Sequence, residues 1–184
     1  MVLSSLLEGL RAQTNEKVIV VSNFTSTLDL VEQHCKSKSY RYCRLDGSTL
    51  QQSRQEIIDT FNRTPPEAKF VFLLSSKSGG TGFNRESSLC LSCSLLSDGG
   101  AVIGASRLIL FDPDWNPAND AQVMARIHRE GQKRDCYVYR LLTTGTLDEK
   151  IYQRQLTKVA LSTAIMVRSP DVRWALADPV FAGK

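Results

Sequence analysis

Five short apolar runs recur along this chain with helix-compatible stretches between them: Val18 to Val21, Tyr40 to Leu45, Phe70 to Leu74, Arg107 to Phe111 and Tyr137 to Leu142. Runs of this length without polar alternation read as strands covered on both faces. The intervening stretches carry helix punctuation. Ser48 with Gln51 has capping-box spacing and opens a helix to about Asn62, and Thr146 with Glu149 opens the last long helix in the same way. Asn116 suits an N-cap, Pro117 the first helical position and Asp120 the first turn, while Gly131 is a stop signal, so one helix is predicted from about Pro117 to Glu130. Strand and helix in alternation predict an α/β fold, a mostly parallel sheet with helices on both faces. Ligands of such sheets sit at the carboxyl ends of the strands.

The polar motifs fall at those ends. Ser22 to Thr25 follow the first run, Asp46 and Gly47 the second, Ser75 to Gly82 the third and Asp112 to Asn116 the fourth. Hydroxyls and glycine-exposed N–H groups bind phosphate oxygens without reading base sequence, and Lys77 adds a point charge at the same edge. Ordinary caps and turns are built from the same residue types. On the predicted helix, Gln122, Arg126 and Arg129 fall within an arc of about 60°. Arginines on one rigid face suit the charge of a transferring γ-phosphoryl group, where such a finger is worth about 10³ to 10⁵ in rate. A solvated basic face is the plainer reading of two arginines alone. These 184 residues contain no Gly-rich loop ending in Lys-Ser/Thr, so the arginines suggest one half of a nucleotide motor. Asp112 and Trp115 read as residues that shape their loop, since aromatics usually pack.

The ordered series Ser22-Asn23-Phe24-Thr25, Arg44-Leu45-Asp46-Gly47, Leu74 to Asn84, Phe111 to Pro117 and Arg126 to Gln132 resembles the second RecA-like lobe of SWI/SNF-type, superfamily-two DNA translocases. The run from Tyr139 to Gln155 is most similar to the Rad-fifty-four-like recombination subgroup. The resemblance covers about residues 4 to 84 and 103 to 166. It implies a RecA-like lobe of an ATP-dependent double-stranded DNA translocase of recombinational repair, working in the nucleus. Asn23, Thr25, Arg44, Gly47, Ser48, Ser75, Ser76 and Lys77 would lie along the DNA backbone, and Gly80, Gly82, Asn84 and Gln122 would face the nucleotide cleft. Arg126 and Arg129 would be the catalytic pair, reaching ATP and Mg held mainly by an N-terminal motor lobe. A RecA-like recombinase would be a further partner. RNA helicases of the superfamily carry arginine where Gln132 stands, so duplex DNA is the implied track. A non-catalytic binding fragment and a chromatin-remodeller lobe are the alternatives, and the isolated chain is expected to be inactive as an ATPase.

Composition permits this without demonstrating it. A 42% hydrophobic content supports a real core, and the net charge of +4 is spread along the chain. No apolar run reaches transmembrane length. Five cysteines show no disulfide framework and point to a reducing compartment. Residues 1–16 read as a helical lead-in, 17–166 as the lobe and 167–184 as a tail broken from the last helix at Ser169-Pro170. Arg85 to Val102 interrupts the family pattern in mid-motif and reads as a translated intron; its Cys90 and Cys93 lack the second pair that a structural zinc site requires.

Overall fold

A computed structural model describes residues 2–76, 102–125, 127, 128, 132 and 134–166. Five strands, β1 (Val18–Ser22), β2 (Tyr42–Leu45), β3 (Val71–Ser75), β4 (Arg107–Leu110) and β5 (Tyr137–Arg140), form one sheet in the order β2-β3-β1-β4-β5. Every pairing is parallel, with Val20 flanked by Leu73 and Ile109. Among the described residues, the expected mostly parallel sheet is wholly parallel. β1 and β3 are buried at all five positions, as strands covered on both faces must be. β5 lies at the edge, and its Tyr137 and Val138 stay exposed.

Side chains alternate across each strand, and the alternation sorts the core into two layers. Val18, Val20, Leu73 and Ile109 meet Leu3, Leu7 and Leu10 of α1 (Val2–Gln13) and Leu28, Val31 and Cys35 of α2 (Thr25–Ser37). Ile19, Val21, Phe72, Leu74, Leu108 and Leu110 meet Ile58 and Phe61 of α3 (Gln51–Arg63) and Val123 of α4 (Pro117–Met124). Phe61 meets Phe72 edge to face, with ring centroids 4.9 Å apart. The last helix, α5 (Leu147–Met166), packs against α4.

The helix ends show where local signals hold and where they yield. Asn116 caps α4 by accepting from the Ala118 N–H at 3.2 Å, with Pro117 in the first turn. At α5, Thr146 accepts from the Asp148 N–H, and Glu149 reaches back to the Gly145 N–H at 2.7 Å, one residue earlier than a standard capping box. The hydroxyl and N–H of Ser48 both turn to the Asp46 carboxylate, a stronger acceptor, and α3 begins after Leu50 instead. α4 stops at Met124, well short of Glu130. Beyond it the Ile127 and His128 N–H groups both turn toward the Met124 carbonyl, and the Ile127 side chain enters the core beside Val123. Among the described residues, no helix is long and apolar enough to cross a membrane.

Candidate nucleic-acid interface

Three strand ends meet at the centre of the carboxyl edge because β1 lies between β3 and β4. Asp112, in the loop after β4, accepts from the Ser22 hydroxyl at 2.7 Å, the Asn23 N–H at 2.8 Å and the Asn23 amide Nδ2 at 3.0 Å. Ser76, after β3, donates its hydroxyl to the Asn23 carbonyl oxygen Oδ1 and its N–H to the Ser22 carbonyl at 3.0 Å. Asn23 is thus gripped from both neighbouring loops. The grip leaves Thr25 exposed at the first position of α2, with Phe24 as an exposed N-cap that makes no side-chain cap bond. Asp112 shapes its loop in this way, as the sequence predicts.

Arg44 sits among three carboxylates. Its Nη1 meets Asp29 and Glu32 of α2 at 2.6 Å each, and its Nε meets Asp46 at 2.8 Å. Burial disfavours the guanidinium charge, but the three carboxylates outweigh it and hold the arginine more firmly protonated than usual. Lys36, Arg44 and Tyr42 donate to Glu32 and lower its carboxyl to about 2. Burial pushes Asp46 upward, yet Ser48 and Arg44 bring its carboxyl below the ordinary range. Gly47 and Ser48 lie in the turn that this carboxylate organises, with Ser48 exposed.

The candidate residues therefore separate. Asn23, Ser75 and Ser76 come together at the sheet centre, with both serines buried; Arg44, Gly47 and Ser48 form a second group at the β2 end; Thr25 lies exposed at the start of α2. Gln122 is exposed on α4. Lys77, Gly80, Gly82, Asn84, Arg126 and Arg129, with the stretch 85–101 and the tail from residue 167, lie outside the described residues. The single helix expected to carry Gln122, Arg126 and Arg129 ends before the arginines. Gln132 anchors the far side of that segment at the opposite edge of the sheet, donating to the Ala105 carbonyl at 2.9 Å and the Ile103 carbonyl at 3.2 Å just ahead of β4. Trp115, expected to pack, is 52% exposed because its neighbour Asp114 turns inward instead; it borders a cavity of about 530 Å³ with Leu147, Ile151 and Arg154 of α5.

The family model of the helicase conserved C-terminal domain matches residues 1–131. The chain belongs to that family. This helicase lobe is 48% identical over 172 residues to the DNA repair protein rhp54 of Schizosaccharomyces pombe, a match covering 94% of the lobe and 18% of that protein. It is 53% identical over 161 residues to the DNA repair and recombination protein RDH54 of Saccharomyces cerevisiae, covering 88% of the lobe and 15% of that protein. The lobe thus spans under a quarter of the length of these curated relatives. Among solved structures, the C-terminal part of the Fun30 ATPase domain superposes with a TM-score of 0.68 at 31% identity, over 83% of this chain and 43% of that one. The lobe is of the SWI/SNF-type, Rad54-like kind, and its parallel sheet is the RecA-like C-lobe fold. β5 and α5 lie beyond the span that the family model matches.

Neither Gln155 nor Arg140 carries a role in the sequence reading. Gln155 is 2% exposed, donates to the Asp114 carbonyl and the Asp120 carboxylate, and accepts from Arg140. The available signal was a glutamine four residues from Ile151 on the buried stripe of a helix.

Proposed function

We propose that this lobe is the second motor lobe of an ATP-dependent double-stranded DNA translocase acting in recombinational repair. The observation that carries the reading is the Asp112–Asn23–Ser76 network, which fixes three loops at one edge in a helicase-family fold. Asn23, Thr25, Gly47, Ser48 and Lys77 line the DNA backbone track, and Ser75 and Ser76 hold its floor. Arg44 stands in its wall, since Asp29, Glu32 and Asp46 already match its charge. Gln122, Gly80, Gly82 and Asn84 face the cleft. Arg126 and Arg129 reach ATP and its Mg ion on the first lobe, stabilising the charge that develops there. The relatives named for DNA repair and recombination support a nuclear protein, with a RecA-like recombinase as a further partner.

Two measurements test this. The lobe should bind labelled duplex with an affinity that falls with salt, each phosphate contact adding about −0.9 to the log–log slope. In the protein that carries both lobes, Arg129→Ala should lower DNA-dependent ATP hydrolysis by about 10³-fold or more while leaving duplex affinity in place. Normal hydrolysis by that variant refutes the arginine assignment, and a lobe that ignores duplex at low salt refutes the track.

A further inference from the structure

Beneath Trp115 lies a buried polar cluster that draws on four parts of the fold. The Gln155 amide Nε2 of α5 donates to the Asp114 carbonyl and, at 2.9 Å, to the Asp120 carboxylate of α4. Its Oε1 accepts from Arg140 Nη1 of β5 at 3.3 Å, and Arg140 Nη2 lies 3.8 Å from the sulfur of Met124 at the end of α4. The Arg140 guanidinium also stands 5.4 Å from the ring centre of Tyr152. Asp114 closes the loop by accepting from the Asn116 N–H at 2.8 Å, and its own N–H points to Asp120 at 3.4 Å. Every hydrogen-bonding group of the Gln155 amide therefore has a partner, and each partner belongs to a different element. Burial raises the Asp120 carboxyl, while Gln155 and Arg140 pull it back.

A buried amide whose donors and acceptor are all engaged by different elements has one arrangement, which is why such a group fixes geometry. Asp112 grips Asn23 two residues before Asp114, and Trp115 follows it, so whatever fixes Asp114 fixes the central loop of the DNA edge. We infer that Gln155, braced by Arg140, is a positioning residue that couples α5 to the Asp112–Asn116 loop. A shift of the last helix is then transmitted to the DNA edge. The functional half of this inference rests on the DNA-track reading, whereas the coupling itself does not.

The test uses the chain with Trp174→Phe, which leaves Trp115 as its one tryptophan. Gln155→Glu places a second carboxyl against Asp120, facing Asp114, Arg140 and Tyr152. Protonated at about pH 5, where burial and the Asp120 carboxylate favour the neutral acid, it can restore one of the amide's two donated bonds; ionised at about pH 8, it donates neither and repels Asp120. Iodide quenching of Trp115 should lie close to the parent at the lower pH and differ from it by about twofold at the higher, with a parallel drop of about tenfold in duplex affinity, equal to 1.4 kcal/mol. Gln155→Met should show the altered quenching at both pH values. Parent-like quenching at both pH values in a folded Gln155→Glu chain overturns the coupling. So does a loss of far-UV circular dichroism at pH 8, because the residue would then be holding up the whole fold. A parent chain that binds no duplex would defeat the DNA reading, and quenching would still decide the coupling.

Discussion

Truncating Asp112 to alanine removes the acceptor for three hydrogen bonds at once, of 2.7, 2.8 and 3.0 Å, two of them from Asn23. Bonds to a charged group contribute about 1.5 to 3 kcal/mol each, but they share one carboxylate and are not additive. Two features reduce the loss. Asp112 is only half-buried, so water can reach the Asn23 N–H. The Ser22 hydroxyl, though fully buried, has the Phe24 carbonyl as a second acceptor at 3.2 Å. We therefore expect Asp112→Ala to cost about 2 kcal/mol, near the lower bound for a single charge-assisted bond with its orphaned donor. Asp112→Asn keeps one acceptor and should cost about 1 kcal/mol. Urea unfolding followed by circular dichroism measures both, and the slope should stay unchanged because the core is untouched. With Asn23 released from one side, duplex affinity should fall about tenfold, roughly 1.4 kcal/mol. A variant within about 0.5 kcal/mol of the parent and with unaltered duplex affinity would show that Asp112 does not organise this edge.

Two further outcomes follow from the packing and the charges. A Cβ at Gly104 would stand 2.9 Å from the Asn62 Cα and 3.0 Å from the Asn62 Oδ1 that the Gly104 N–H needs, so Gly104→Ala should displace the end of α3 and cost about 1 to 3 kcal/mol; an unmoved thermal midpoint would contradict the contact. Glu32, lowered to about 2, is more acidic folded than unfolded, so its contribution is complete above the unfolded value and disappears as the pH drops toward about 2. Glu32→Gln should then be less stable than the parent by about 1 kcal/mol at neutral pH, after solvent screening, and equal to it near the acid limit. A gap that stays constant over that range would rule out the ion pairs as its source.

The strands were legible because a parallel sheet covered on both faces leaves no choice but continuous apolar runs, as in Val18 to Val21 and Phe70 to Leu74. The Asn116 cap was legible because its partner is two residues away. What escaped local reading was decided by distant residues. The Gly131 stop signal did not mark the end of α4, which comes at Met124, where no local stop residue stands. Ser48 matched a capping pattern, yet the Asp46 carboxylate two residues earlier took its hydroxyl. Arg44 looked free to meet a phosphate until Asp29 and Glu32, one turn apart on α2, came to lie over it; their spacing on a single helix face was the readable hint.

The position of β1 in the sheet has a consequence for how the chain is made. Of the strands in this sheet, the earliest in sequence becomes the middle one, and its neighbours arrive only when Val71 and Arg107 have been added. Until then Val18–Ser22 is an apolar segment with both backbone edges bare, a template for pairing with other chains. Sequence-distant parallel pairing is also slow to form. A chain halted before β4 would leave β1 open on one side, so the lobe is most prone to aggregate while it is being completed.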